Sequence, residues 1–183
     1  MRAAMARATR KAARASGGRP VPAENLHVTL AFLGSVAERQ LPRLAQVAAA
    51  ASALATAQPP QLARAEAALG LAFDQLDYWH AAELLCAVPA APPARTASLA
   101  HSLQELLTAA GLAPDGGSSG SVGTNRARSF RPHVTLARKV HRPPRMREMR
   151  PVIWTFADFV LVDSKTLPEG PVYTVLERFS IAR

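Results

Sequence analysis

The sequence predicts an α+β fold: a single domain spanning residues 1–183 and built from two similar lobes that face each other. Apolar residues recur at helical spacing in some segments and alternate in others, and the two kinds of segment follow one another in mixed order. The tetrapeptide His-Val-Thr-Leu occurs twice, at His27–Leu30 and His133–Leu136, once in each half. This repeat is the observation that predicts two lobes.

The composition is that of a folded protein with its own core. The chain has 183 residues, of which 49% are apolar and 19% charged. Its single cysteine, Cys86, lies in the apolar run 84–88, where we expect it to be buried. No apolar stretch is long enough to span a bilayer. We therefore expect a monomeric cytoplasmic protein without a membrane partner.

The net charge of +9 is concentrated in two segments. Residues 1–20 carry six basic side chains and no acid, and residues 126–150 carry nine basic side chains and only Glu148 as an acid. Clustered arginine suits a polyanion such as RNA, because phosphate contacts provide most non-specific affinity. A GC-rich genome, which favours Ala, Arg and Pro together, is an alternative source of the overall charge. A GC-rich genome does not explain why the basic residues cluster around the second motif.

In the first half of the chain, helix and strand signals alternate. An Ala/Arg helix is predicted over Met1–Ser16, ended by Gly17-Gly18. Residues 26–33 are predicted to form the first motif strand, and a helix follows over about 38–57 until Pro59-Pro60 breaks it.

The second half continues the mixed order. Alternation of Leu69, Leu71 and Phe73 suggests a strand, which is followed by a strand at 83–88 and a helix at about 94–110. A flexible insertion is predicted at about 114–128, before the second motif strand at Phe130–Lys139. The last two strands are predicted at about 152–162 and 172–181, joined by a turn around Pro168–Pro171.

Each motif has two chemically different faces if it is extended. Side chains of a strand alternate, so His27 and Thr29 share one face while Val28 and Leu30 share the other. Two imidazoles provide a proton acceptor and a proton donor near neutral pH, and two threonine hydroxyls can donate to phosphate oxygens. This set of groups suits cleavage of a phosphodiester, provided that the two motifs converge.

Other interpretations of the histidines are available. A single histidine in a strand is usually a structural residue, but that does not account for threonine at the same offset in both motifs. Zinc requires three or four ligands, and no Cys pair, His-Glu-x-x-His or acidic cluster accompanies these histidines. No serine-nucleophile elbow, Walker loop or dinucleotide-binding loop is present either. We therefore expect neither a metal nor another cofactor.

Three segments resemble a known family. The stretches VPAENLHVTLAFLG (21–34), FRPHVTLARKV (130–140) and GPVYTVLERF (170–179) are similar to the RNA 2',3'-cyclic phosphodiesterases, formerly called 2'-5' RNA ligases. These belong to the two-histidine phosphoesterase superfamily, which is defined by two His-x-Thr-x motifs. The segment FDQLDYWH (73–80) also fits, and the resemblance runs from about Pro20 to the C-terminus.

The resemblance implies both a fold and a reaction. The implied fold is bilobal, with two antiparallel-rich sheets around a central cleft and one motif strand per lobe. The implied reaction opens a 2',3'-cyclic phosphate at an RNA end to a 2'-phosphate without a metal, and reverse 2'-5' ligation is associated with such proteins. His27 would be the proton donor and His133 the proton acceptor, Thr29 and Thr135 would bind the phosphate, and Arg138 would lie near the nucleotide.

One departure from the family pattern concerns the scaffold. Family members begin with an apolar strand before the first helix, and this first strand is missing from the sequence given, so either the start codon is misassigned or a strand has been deleted. We expect the loss to expose apolar surface and leave backbone groups unpaired. This motivates a rival hypothesis, an inactive basic RNA-binding relic. A third hypothesis keeps the chemistry but replaces RNA ends with small cyclic nucleotides as substrate.

Several residues near the motifs are secondary candidates for RNA contact. Arg131 is the best placed of the arginines that could hold the RNA backbone, because it lies two residues before His133 on the same strand face; Arg126 and Arg128 are further candidates. Phe32 and Phe130 flank the motifs and would either stack on bases or pack in the core.

Overall fold

A computed structural model describes residues 1–57, 69–91, 94–112, 130–145, 147–168 and 170–181. Within these ranges the helices are α1 (Arg2–Ala15), α2 (Leu41–Ala57) and α3 (Ala94–Ala109), with short 3-10 turns at Ala23–Asn25, Glu38–Gln40 and His80–Ala82. All three predicted helices are thereby confirmed. None of the helices in the described ranges is long and apolar enough to cross a membrane. The predicted insertion at about 114–128, with Arg126 and Arg128, lies outside the described residues.

The strands described by the structure form two antiparallel sheets, as the resemblance implied. They are β1 (Arg19–Pro20), β2 (Leu69–Trp79), β3 (Leu84–Val88), β4 (Val134–Arg138), β5 (Glu148–Phe156), β6 (Asp158–Leu167) and β7 (Gly170–Ser180). One sheet has the order β1-β4-β3-β2-β5, and β6 pairs with β7 in a hairpin across the predicted turn.

The single strand predicted at 152–162 is wrong, because two strands of different sheets meet there. A bend at Ala157 separates β5, which pairs with β2, from β6, which pairs with β7. The apolar and β-branched residues continue through this bend, so the pattern that predicted a strand contained no sign of the change of sheet.

One face of the five-stranded sheet packs against α1. Phe73 of β2, Leu85 of β3 and Val134 of β4 are completely buried, and Met5 of α1 is completely buried in the same cluster. A second cluster joins α2 and α3 to the base of the β6–β7 hairpin through Leu69, Leu99, Leu103 and Ile181. Since α1 covers only one face of the larger sheet, the opposite face is available for a functional site.

The segment that carries the first motif does not form the predicted strand. Val28 packs against the core of the five-stranded sheet and Leu30 against the α2–α3 core, so the two apolar side chains of the motif face the interior as expected. However, residues 27–34 make no backbone–backbone hydrogen bond with any part of the chain that the structure describes. The prediction was therefore right about the apolar side chains that face the core, and wrong about backbone pairing with a neighbouring strand.

The β6–β7 hairpin exposes apolar side chains. Val162 and Val175 are cross-strand partners with 36% and 52% of their surface exposed, and Leu167, Val172 and Leu176 are exposed as well. The hairpin joins the core mainly at its base, where Phe159 and Phe179 stack at 5.3 Å between ring centroids.

Candidate active site

The second motif lies on β4, in the interior of the five-stranded sheet. The strand begins at Val134 rather than at the predicted Phe130, so His133 immediately precedes it. Val134 and Leu136 are buried in the core shared with α1, and Thr135 is half-buried opposite Cys86 of β3. The motif therefore has the two faces that alternation predicts, with His133 and Thr135 turned away from the core.

A β-bulge brings Arg138 to the same face as Thr135. Strict alternation would put position 138 on the core face, because it is three residues from position 135. The register shifts at this point: Cys86 pairs with Thr135, but Leu84 pairs with Arg138, so Leu136 and Ala137 are both accommodated on the buried side. The extra residue re-aims the strand, which is a common use of bulges at functional sites.

The two catalytic candidates have the same local geometry. Nδ1 of His27 lies 2.7 Å from the carbonyl oxygen of Asn25, and Nδ1 of His133 lies 2.8 Å from that of Arg131. A carbonyl only accepts, so Nδ1 must carry the proton and donate in both rings. This leaves Nε2 of each imidazole as the nitrogen that can accept or deliver a proton during chemistry.

The electrostatics of His133 link the two motifs. Burial lowers the pKa of His133 below its ordinary value of 6.5, and the positive charges of His27 and Arg131 lower it further, although the hydrogen bond to the Arg131 carbonyl opposes them. The interaction with His27 means that the two imidazoles lie in one region, although 106 positions separate them in the chain. Near neutral pH the neutral form of His133 is favoured.

Each histidine ring also contacts an aromatic side chain to which no motif assigned a role. The rings of Trp79 and His133 are 4.4 Å apart, and those of Tyr173 and His27 are 4.9 Å apart in an edge-to-face arrangement. In addition, Asn25 donates from Nδ2 to the carbonyl of Pro171, at 3.2 Å, which ties the first-motif segment to β7. Trp79 and Tyr173 lie in the segments 73–80 and 170–179, whose resemblance to the family was the available signal.

Arg131 belongs to a cluster beside His133. Its guanidinium carbon lies 5.0 Å from the centre of the Trp79 ring, and one of its nitrogens lies 3.7 Å from Oδ2 of Asp77. The same carboxylate oxygen accepts a 2.8 Å hydrogen bond from Nε1 of Trp79. Asp77 and Trp79 are two residues apart on β2 and therefore share a face.

Cys86 is buried, as predicted, but on the side of Thr135 rather than in the core behind it. Burial raises the pKa of its thiol to about 12, although a hydrogen bond with Thr135 acts in the opposite direction. The thiol therefore stays protonated near neutral pH, where it is a poor nucleophile. In the site, Cys86 lies beside Thr135 on the neighbouring strand.

The remaining predicted residues are placed less specifically. Thr29 is half-buried on the first-motif segment, and Phe130 is half-buried before β4. Phe32 is 75% exposed, so its interpretation as a packing residue is wrong. No group of three or more His, Cys, Asp or Glu side chains that could hold a metal ion is found within the described ranges.

Comparison with known proteins identifies the class. The family model for LigT-like phosphoesterases matches residues 3–70. An RNA 2',3'-cyclic phosphodiesterase of Thermus thermophilus is 32% identical over 185 aligned positions, which cover 99% of this chain and 84% of that protein.

Solved structures give the same answer for the fold. The crystal structure of TT0787 from Thermus thermophilus superposes with a TM-score of 0.72 at 28% identity, covering 98% of this chain and 91% of that one. Apo LigT of E. coli superposes with a TM-score of 0.71 at 24% identity, covering 100% and 91% of the two chains.

The mixed α/β fold with one His-x-Thr motif in each half is that of a two-histidine phosphoesterase. The chain belongs to the LigT-like phosphoesterase family. It is thus a hydrolase of phosphate esters.

Proposed function

We propose that this phosphoesterase hydrolyses the 2',3'-cyclic phosphate at RNA ends to a 2'-phosphomonoester, by acid–base catalysis between His27 and His133. The observation that carries the proposal is the matched pair of imidazoles, each with Nδ1 bound to the carbonyl two residues earlier and Nε2 left for proton transfer. The 32% identical relative is named for activity on RNA 2',3'-cyclic phosphates, which supports this substrate class.

In the proposed reaction, neutral His133 takes a proton from water through Nε2. The water oxygen attacks phosphorus, the bond from phosphorus to the 3' oxygen breaks, and protonated His27 delivers its proton to that oxygen. The products are a 2'-phosphomonoester and a free 3'-hydroxyl. His133 ends protonated and His27 neutral, so exchange with solvent restores the starting forms.

The physical support for the direction of proton transfer is the environment of His133. Burial and two positive neighbours lower its pKa, so most of this residue is neutral at pH 7 and able to act as a base. If His133 were instead the proton donor, it would have to begin the cycle protonated, although its surroundings disfavour the positive charge.

Thr29 and Thr135 are proposed to donate hydrogen bonds to the non-bridging oxygens, where negative charge builds up during attack. Arg138, turned to the face of Thr135 by the bulge, would add positive charge beside the phosphate. Phe32 and Phe130 would contact bases of the RNA, and the exposure of Phe32 favours this role over packing. We further propose that the protein acts as a cytoplasmic monomer and needs no metal.

The test uses an oligoribonucleotide with a 2',3'-cyclic phosphate end, with the product separated by mass spectrometry and assigned as a 2'-phosphate by its resistance to a 3'-phosphatase. His27→Ala and His133→Ala should each reduce turnover by roughly 10²–10⁴-fold. His101→Ala is the matched control, because this exposed histidine pairs with Glu105 on α3.

The outcomes separate the rival hypotheses. Full turnover in both active-site variants would refute the catalytic roles. RNA binding without turnover by the wild-type protein would support the inactive relic. Faster hydrolysis of cyclic mononucleotides than of RNA ends would assign a small-nucleotide substrate, and 2'-5' ligation is measured in the same assay by supplying a 5'-hydroxyl acceptor.

A further inference from the structure

The guanidinium of Arg131 has a contact on each of two sides. The Trp79 ring lies beneath it at 5.0 Å, and Asp77 holds one of its nitrogens at 3.7 Å. The Arg131 side chain nevertheless remains 69% exposed. We propose that this guanidinium is a stacking platform for the nucleobase attached to the cyclic phosphate, with Trp79 and Asp77 as positioning residues; the inference rests on the proposed function.

The platform has a rigid foundation. Asp77 and Trp79 lie on β2, where they pair with Cys86 and Leu84 of β3. The hydrogen bond from Nε1 of Trp79 to Asp77 fixes the orientation of the indole, at 2.8 Å. A guanidinium is planar and stacks on aromatic rings, so an indole held in this way also sets the plane of Arg131.

The platform is also next to the proposed chemistry. The Trp79 ring is 4.4 Å from the ring of His133, and the backbone carbonyl of Arg131 accepts the hydrogen bond from Nδ1 of the same histidine. The base and the cyclic phosphate of one nucleotide are joined by a single ribose. A base that stacks beside His133 therefore belongs to the nucleotide that reacts.

The carboxylate of Asp77 favours a base over a phosphate as the partner of Arg131. The carboxylate of Asp77, 3.7 Å from a guanidinium nitrogen, partly neutralises the charge of Arg131 and so weakens its attraction for a second anion. The exposed face of the guanidinium is unaffected by that pairing. RNA-binding proteins use such faces to stack unpaired bases.

The experiment compares two substrates that differ in having a base. Adenosine 2',3'-cyclic phosphate has one, and glycerol 1,2-cyclic phosphate has the same five-membered phosphate ring without it. Arg131→Lys keeps the charge and removes the plane, and Trp79→Leu removes the support. Each should raise KM for the adenosine substrate by about 5–100-fold more than KM for the glycerol substrate, because one stacked base is lost. An effect passed on through His133, which Trp79 contacts, would instead change both substrates alike.

Arg142→Lys is the control for the substitution itself, because Arg142 is exposed and makes its contact through the backbone, donating to Ser16. Asp77→Asn should raise KM for the adenosine substrate by a smaller factor than Trp79→Leu does. In the Trp79→Leu background it should have little further effect, because Asp77 is proposed to act by positioning Trp79. Equal losses on both substrates, or none on either, would overturn the platform.

A binding measurement separates this inference from the proposed function. If the wild-type protein leaves the cyclic phosphate of the oligoribonucleotide intact, the proposed function fails, and titration with adenosine 2'-monophosphate still tests the platform. Weaker binding by Arg131→Lys than by wild type would support base stacking at Arg131. Equal affinities would reject it.

Discussion

Substitution of Gly18 by alanine should disturb Arg138 through the backbone. A Cβ at position 18 would lie 2.6 Å from the carbonyl oxygen of Arg138, 2.9 Å from Cγ2 of Val140 and 3.1 Å from Cα of Val140. Two of these three neighbours are backbone atoms, which cannot rotate away as the end of a side chain can. The strand end of β4 must therefore move.

The surrounding hydrogen bonds limit how far that end can move. The carbonyl of Ser16 accepts from the backbone N–H groups of His141 and Arg142, at 3.2 and 3.0 Å, and so joins the end of α1 to the end of β4. Overpacking of this kind costs about 1–3 kcal/mol. In a chain of this length each kcal/mol lowers Tm by about 2–4 °C, which gives a decrease of about 2–12 °C.

The same displacement should affect substrate binding. Arg138 is proposed to lie beside the phosphate, and loss of one charge-assisted hydrogen bond, about 1.5–3 kcal/mol, would raise KM roughly 10–150-fold. The assays are thermal unfolding followed by circular dichroism, and steady-state kinetics on the cyclic-phosphate oligonucleotide.

Gly17→Ala is the matched control. Gly17 has φ +68°, so alanine there costs about 1–2 kcal/mol, but no atom lies within 4 Å of its added Cβ. It should lower Tm without changing KM. If Gly18→Ala melts with the wild-type protein, or raises KM no more than Gly17→Ala does, the close approach to Arg138 does not control the site.

Two further predictions concern titration and reactivity. Because neutral His133 is the proposed base and its pKa is lowered, the midpoint of the acidic limb of the kcat/KM–pH profile should lie below pH 6.5. Arg131→Gln removes one positive neighbour, so this midpoint should move to higher pH. An unmoved midpoint would contradict the assignment of the limb to His133. The Cys86 thiol, with its pKa raised to about 12 and its side chain buried, should resist iodoacetamide at about pH 8 in the folded protein and react after denaturation in urea. Rapid alkylation of the folded protein would show that the reagent reaches Cys86, which would contradict the burial of this thiol beside Thr135.

Much of the scaffold follows from sequence patterns. The helices have apolar periodicity together with clear breakers, such as Gly17 after α1 and Gly111 after α3, and the second motif alternates correctly because its neighbours on both sides are strands. The faces of His133 and Thr135 were predictable for the same reason.

The features that were missed depend on pairing between distant segments. Alternation alone puts Arg138 on the wrong face, because the bulge opposite Leu85 and Cys86 is a property of two strands together. The first-motif segment has the composition of a strand but no backbone partner among the described residues. Trp79 reaches His133 only because β2 and β4 lie on either side of β3, and no local pattern gives that order.

The unequal pairing of the two motifs has a consequence for heat inactivation. His133 adjoins a strand held on both sides, whereas residues 27–34 around His27 have no backbone–backbone hydrogen bonds to the described chain. Amides in such a segment exchange with solvent through small local openings rather than through global unfolding. Deuterium uptake at 27–34 should therefore be complete long before that of β4. Activity on warming should decline ahead of the unfolding transition, since His27, the proposed proton donor, loses its position while the sheet that holds His133, the proposed base, is still intact.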